Sequence, residues 1–167
     1  EIFLDLKLND IPNTCASAIY SLKDIKNISY LTVHTQGGLE MLKVVKKAAK
    51  KINKKLKILG VTVLTSFSNS SIKKIGHTRS IKELVRKQAG LAKLAKLDGI
   101  VCSPHEIKMI KQETSNKLKL IVPGIRSSSD NANDQKRTMS ASEAINTGAD
   151  VLVIGRPITM ANDPAEA

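Results

Sequence analysis

Short apolar runs alternate with amphipathic helical stretches six times along this chain, and that alternation limits the fold more than any other feature. The runs are one opening at Ile2, then Ile28–His34, Leu56–Leu64, Asp98–Cys102, Leu118–Val122 and Val151–Ile154, rich in β-branched and aliphatic residues. They are continuous runs rather than alternating ones, as expected of parallel strands buried on both faces. The stretches between them read as helices. One opens at Pro12 and runs to about Lys26, and a second follows Gly37-Gly38 and ends near Asn53. The others span Ser80–Leu97, Ser103 to Ile110 and Ser140–Thr147, with Gly148 as C-cap of the last. A further helix begins after Gly155-Arg156-Pro157. Such a pattern allows a doubly wound sheet or a (β/α)8 TIM barrel. No G-x-G-x-x-G or P-loop favours the sheet. The unusual residues all follow strands, which is the habit of the barrel.

The chain has 167 residues, enough for one domain over 1–167. Aromatics make up only 2%, so the core must come from Ile, Leu, Val and Ala. The net charge of +12 raises the question of a nucleic-acid partner. The densest run places Lys43, Lys46, Lys47, Lys50, Lys51, Lys54 and Lys55 on one helix face, with Leu42, Val45, Ala49, Ile52 and Leu56 opposite. No aromatic platforms interleave with these lysines, so they read as a solvated face and no nucleic acid is expected. Cys15 and Cys102 match no ligand spacing, so no metal is expected. No signal-peptide pattern or membrane-length apolar run is visible, which favours a reduced cytoplasmic setting. The chain starts at Glu1 rather than Met, so an N-terminus processed or cut away is expected.

The first strand carries charge where a buried strand should be apolar. Asp5 and Lys7 are two apart and share a face, and Asp10 follows at the strand exit before Pro12. Burying such groups unpaired costs several kcal/mol. A structural ion pair at a strand end would explain two of them; three converging charges favour a functional site. Gly155-Arg156 after the last strand suits an anion, because glycine lets backbone N–H groups approach and arginine binds phosphate in bidentate fashion. Arg126 opens a long polar loop containing Ser127, Ser128, Ser129, Asp134 and Gln135, suited to a lid over an anion. His34 reads as a core residue at a strand end, and His77 and His105 as surface residues.

These motifs together resemble the orotidine 5′-phosphate decarboxylase family, most closely its bacterial branch. The resemblance rests on the D-x-K-x-x-D run of Asp5, Lys7 and Asp10 with Thr14, and on Val61-Thr-Val-Leu-Thr65-Ser66. It rests also on Val122-Pro-Gly-Ile-Arg126 with Asp134-Gln135, and on Val153-Ile-Gly155-Arg156-Pro-Ile-Thr159. It covers essentially the whole chain. It implies decarboxylation of orotidine 5′-phosphate (OMP) to UMP in de novo pyrimidine biosynthesis, without a cofactor, in a (β/α)8 homodimer. Lys7 would be the proton donor to C6, and Asp5 would sit by the substrate carboxylate and orient Lys7. Asp10 and Thr14 would reach the partner subunit's site, and Thr65 would lie near the pyrimidine. Arg126, Gln135, Gly155 and Arg156 would hold the phosphate. Val122 stands where the family usually has Thr. Only six βα units are visible; the first two of the barrel would precede Glu1, and in the family they carry an Asp that contacts the ribose and a second Lys. Two other readings remain: a truncated, inactive homologue, and a Mg²⁺-dependent sugar-phosphate decarboxylase or synthase of the same superfamily.

Overall fold

The structure is a computed structural model that describes residues 1–126 and 138–167. Among the described residues six parallel strands form one sheet in chain order: β1 (Ile2–Leu8), β2 (Ile28–His34), β3 (Lys57–Val61), β4 (Gly99–Val101), β5 (Lys119–Val122) and β6 (Val151–Leu152). Helices α1 (Pro12–Tyr20), α2 (Gly38–Ile52), α3 (Asn69–Lys74), α4 (Ile81–Leu94), α5 (Ile107–Thr114), α6 (Ala141–Thr147) and α7 (Arg156–Thr159) fill the connections. A strand order equal to chain order with every neighbour parallel is that of a singly wound barrel, which excludes the doubly wound alternative. The sheet is an open arc holding six of the eight units of a closed (β/α)8 barrel.

Period-2 alternation sorts the strand residues into two layers. Leu31, Val33, Ile58, Ile100 and Leu120 join the core cluster with Met41, Leu42, Val45, Val85, Ala89, Ile107 and Ile110 from the helices. Thr32, Leu59, Val61 and Ile121 are also buried but stand outside that cluster, on the inner face of the arc. At Gly99 that inner packing leaves no room for a side chain. A Cβ there would lie 2.8 Å from the Lys119 carbonyl oxygen and 2.9 Å from Leu59 Cδ2.

Aspartates tie the bottoms of neighbouring strands together. The Asp98 backbone N–H donates to the Ile58 carbonyl (3.0 Å), and its carboxylate accepts the Ile58 N–H (2.7 Å) and pairs with Lys46. Asp150 repeats the arrangement two pairs further on, between β5 and β6, donating to the Leu120 carbonyl (3.0 Å) and accepting the Leu120 N–H (2.8 Å). Lys46 is therefore part of the scaffold rather than of the solvated lysine face, whereas Lys43, Lys47, Lys50, Lys51, Lys54 and Lys55 are exposed as expected.

Several boundaries differ from those read in the sequence. The first helix ends at Tyr20, not near Lys26, because the chain tightens into i→i+3 bonds, Leu22 N–H to Ile19 O and Lys23 N–H to Tyr20 O. β3 stops at Val61, since Thr62 turns its N–H (3.1 Å) and hydroxyl (2.9 Å) onto the Val101 carbonyl. α5 continues to Thr114, whose hydroxyl bonds the Ile110 carbonyl at 2.8 Å. β6 has two residues rather than four. β1 is not buried on both faces: Ile2, Phe3 and Leu6 are exposed along the edge of the arc, as are Val153 and Ile154 at the other.

Two of the helices expected to begin at serines open with capping boxes, at Ser80/Glu83 and Ser140/Glu143. The Ser80 hydroxyl (2.7 Å) and N–H (3.0 Å) both donate to Glu83, which holds its carboxyl below the usual carboxylate range. A depressed folded-state pKa means that the unfolded chain protonates first. The stabilisation is present above the unfolded value and is lost as pH falls through the folded one. Glu83→Gln is thus expected to flatten the fall in melting temperature on acidification below about pH 4. Parallel melts of both chains across that range measure it, and identical pH profiles would show that the box carries no linkage.

Candidate active site

The site begins as an irregularity in β1. Leu4 pairs with Leu31 and Leu8 with Val33, so β1 advances four residues while β2 advances two. Asp5, Leu6 and Lys7 bulge out opposite Thr32, and Lys7 takes a left-handed conformation at φ +50. A lysine held there costs roughly 1–3 kcal/mol of backbone strain, which the surrounding bonds must offset. Those bonds come from one buried hydroxyl. Thr32 Oγ1 accepts the Lys7 backbone N–H at 2.9 Å and donates to Asp5 Oδ1 at 2.7 Å. The second carboxylate oxygen, Asp5 Oδ2, meets Lys7 Nζ at 2.5 Å.

The bulge aims this ion pair into a cavity of about 250 Å³ at the C-terminal ends of the strands. Phe3, Val61, Val63, Val101, Pro123 and Val153 give it apolar walls, and Thr65 and Ser66 give it polar ones. An ammonium paired with one carboxylate, facing an apolar chamber, can stabilise and protonate a carbanion. His34 stands at the end of β2, two residues beyond Thr32. Burial pushes its imidazole below the ordinary value, the Lys7 ammonium pushes the same way, and Asp5 pulls back. The ring is therefore neutral at neutral pH. It lines a second cavity with His77, which is half-buried rather than a surface residue.

The structure brings together Asp5, Lys7 and Thr65 of the residues singled out in the sequence. Asp10 and Thr14 do not line the cavity; both are exposed around the start of α1, where the Asp10 carboxylate accepts the Ile11 N–H at 2.6 Å. Arg126 lies three residues beyond Pro123, and Arg156 three beyond Val153, so each follows a residue of the cavity wall. The Arg126 guanidinium donates to the Ile125 carbonyl at 2.6 Å. Arg126 N–H to Met139 O (3.0 Å) and Met139 N–H to Gly124 O (3.2 Å) join residues 124–126 to Met139. Gln135, with the rest of that segment, lies outside the described residues. Gly155 is exposed and precedes the four-residue α7, with Arg156 half-buried at its first position. Among the described residues no group of three or more His, Cys, Asp or Glu side chains could hold a metal ion, and no helix is long and apolar enough to cross a membrane.

Thr32 escaped the sequence reading. A threonine within an apolar strand reads as β-propensity, although a polar residue between Leu31 and Val33 was the one available signal.

The model of the orotidine 5′-phosphate decarboxylase/HUMPS family matches residues 1–167. Among curated relatives, the orotidine 5′-phosphate decarboxylase of Idiomarina loihiensis is 44% identical over 163 residues, covering 98% of this chain and 70% of the relative. That of Wolbachia sp. subsp. Brugia malayi is 47% identical over 165 residues, covering 99% and 72%. Among solved structures, the orotidine 5′-phosphate decarboxylase of Lactobacillus acidophilus superposes with a TM-score of 0.84 at 33% identity, covering 99% of this chain and 71% of that one. The Methanocaldococcus jannaschii enzyme, solved with the inhibitor BMP, superposes with a TM-score of 0.72 at 26% identity, covering 99% and 69%.

Proposed function

The chain belongs to the orotidine 5′-phosphate decarboxylase/HUMPS family, a family of lyases, and on that premise we propose that it converts OMP to UMP with Lys7 as the proton donor. The observation that carries this reading is the Asp5–Lys7 pair on the wall of an apolar cavity at the strand ends. In the proposed reaction the bond from C6 to the carboxylate breaks, CO2 departs and the electron pair stays on C6. The Lys7 ammonium, already beside the site of developing charge, gives C6 its proton and is left as an amine that solvent reprotonates. Asp5 sits by the substrate carboxylate and holds the ammonium; the apolar walls keep water from competing for the carbanion.

Thr65 lies by the pyrimidine. Arg126, Gln135, Gly155 and Arg156 hold the phosphate, whose binding energy closes the site around the reacting end of the substrate. Asp10 and Thr14, exposed beside Ile11, which is 67% exposed, complete the site of a second copy in a homodimer. The reading calls on no cofactor and no nucleic acid, and it has the enzyme act in the cytoplasm.

The test is the loss of OMP absorbance on adding the chain. Lys7→Ala and Asp10→Ala are each expected to be inactive. Mixed in equal amounts and allowed to exchange subunits, they should recover about a quarter of the wild-type rate, because half the dimers are hybrids with one intact site. No recovery would sink the shared site. Absence of OMP turnover by the folded wild type would sink the reaction, and Mg²⁺-dependent turnover of a sugar phosphate would assign the chain to the other branch of its family.

A further inference from the structure

We propose that Thr32 is the positioning residue of the reaction: its hydroxyl sets where the Lys7 ammonium points by holding both the backbone of Lys7 and the carboxylate of Asp5. The inference rests on the proposed role of Lys7 and adds a residue that never touches the substrate in that scheme.

Thr32 is fully buried and sits on β2 directly opposite the three bulged residues of β1. Its hydroxyl has one proton, and the neighbours leave no choice in how it is used. The Lys7 N–H can only donate, so the oxygen accepts there; the Asp5 carboxylate can only accept, so the proton goes to Oδ1. The result is a closed ring of three contacts: Lys7 N–H to Thr32, Thr32 to Asp5, and Asp5 back to Lys7 Nζ. The first fixes the strained backbone from which the lysine side chain departs. The second fixes the carboxylate rotation that decides where Oδ2, and hence the ammonium, lies. Without the hydroxyl the carboxylate turns freely and the bulge relaxes, and a displacement of about 1 Å at a reacting group costs on the order of 100-fold in rate.

Thr32→Val keeps the shape and removes the hydroxyl. In the full chain it is expected to lower kcat for OMP by about 100-fold and to change KM by less than about threefold, since the phosphate contacts are untouched. Thr32→Ser keeps both bonds and should return kcat to within about threefold of wild type. Thr32→Ala carries the same test should Thr32→Val not fold. The decisive measurement repeats the substitution in an Asp5→Ala background. A residue acting through Asp5 should there cost less than about tenfold, whereas a residue that merely stabilises the strand should cost the same in both backgrounds. Wild-type kcat in Thr32→Val, equal losses in the two backgrounds, or no rescue by serine overturns the assignment. Undiminished turnover by Lys7→Ala is a different outcome: it overturns the proposed function itself, whatever Thr32 does.

Discussion

Lys7→Ala should lower the rate of OMP decarboxylation by about 10⁴-fold, the largest effect expected of any single substitution in this chain. In the proposed reaction two contributions are lost together. One is the fixed positive charge facing the carbon on which the electron pair collects; the other is the proton that quenches it. Lys7→Arg should recover little. A guanidinium keeps the charge but does not give up a proton near neutral pH, and its planar fork does not fit a bulge built around an ammonium 2.5 Å from one carboxylate oxygen. Initial rates from OMP absorbance, with melting temperature as a folding control, measure both variants. Activity of Lys7→Ala within tenfold of wild type would remove lysine from the chemistry. A fully active Lys7→Arg would leave it only as a charge.

Asp98→Ala should be the most damaging change to stability outside the apolar core. One carboxylate accepts the Ile58 N–H and neutralises Lys46, and both charged side chains are largely buried. Truncation leaves an ammonium and a backbone N–H without their partner, a loss of about 3 kcal/mol. For a domain of this size that lowers the melting temperature by about 6–12 °C. Asp98→Asn keeps an acceptor and should lose less than half as much. Activity per folded molecule should be unchanged in both, because Asp98 lies at the opposite end of the strands from the cavity. A melting temperature of Asp98→Ala equal to wild type would show that the strand bottoms are held by packing alone.

These two residues also mark what the sequence could and could not reveal. Asp5 and Lys7 are near neighbours in the chain, so strand alternation put them on one face, and the alternation of elements carried the parallel βα architecture without choosing between a doubly wound sheet and a barrel. Lys46 and Asp98 are 52 residues apart. On its own helix Lys46 belongs to a regular lysine face, and nothing local distinguishes it from its exposed neighbours. Only the register of β3 against β4 brings a carboxylate beneath it. Thr32 was hidden for a related reason: its role depends on a bulge in another strand, and periodicity assumes that strands pair without one. The exposure of β1 and of Val153 and Ile154 follows from the count of six units: an open arc leaves its two edge strands without a neighbour within these residues.

The strand order has a consequence for how the chain comes to be folded. Among the described residues each strand pairs with the one made immediately before it, so none of these pairings waits on a distant segment of polypeptide. Every closure spans one strand–helix unit, and its entropic cost grows only with the logarithm of that span. During synthesis a newly emerged strand finds its template already outside the ribosome, and the arc can lengthen one unit at a time from the N-terminal side. The bulge that presents Lys7 belongs to the β1–β2 pair, so it is laid down before the segments carrying Arg126 and Arg156 are made.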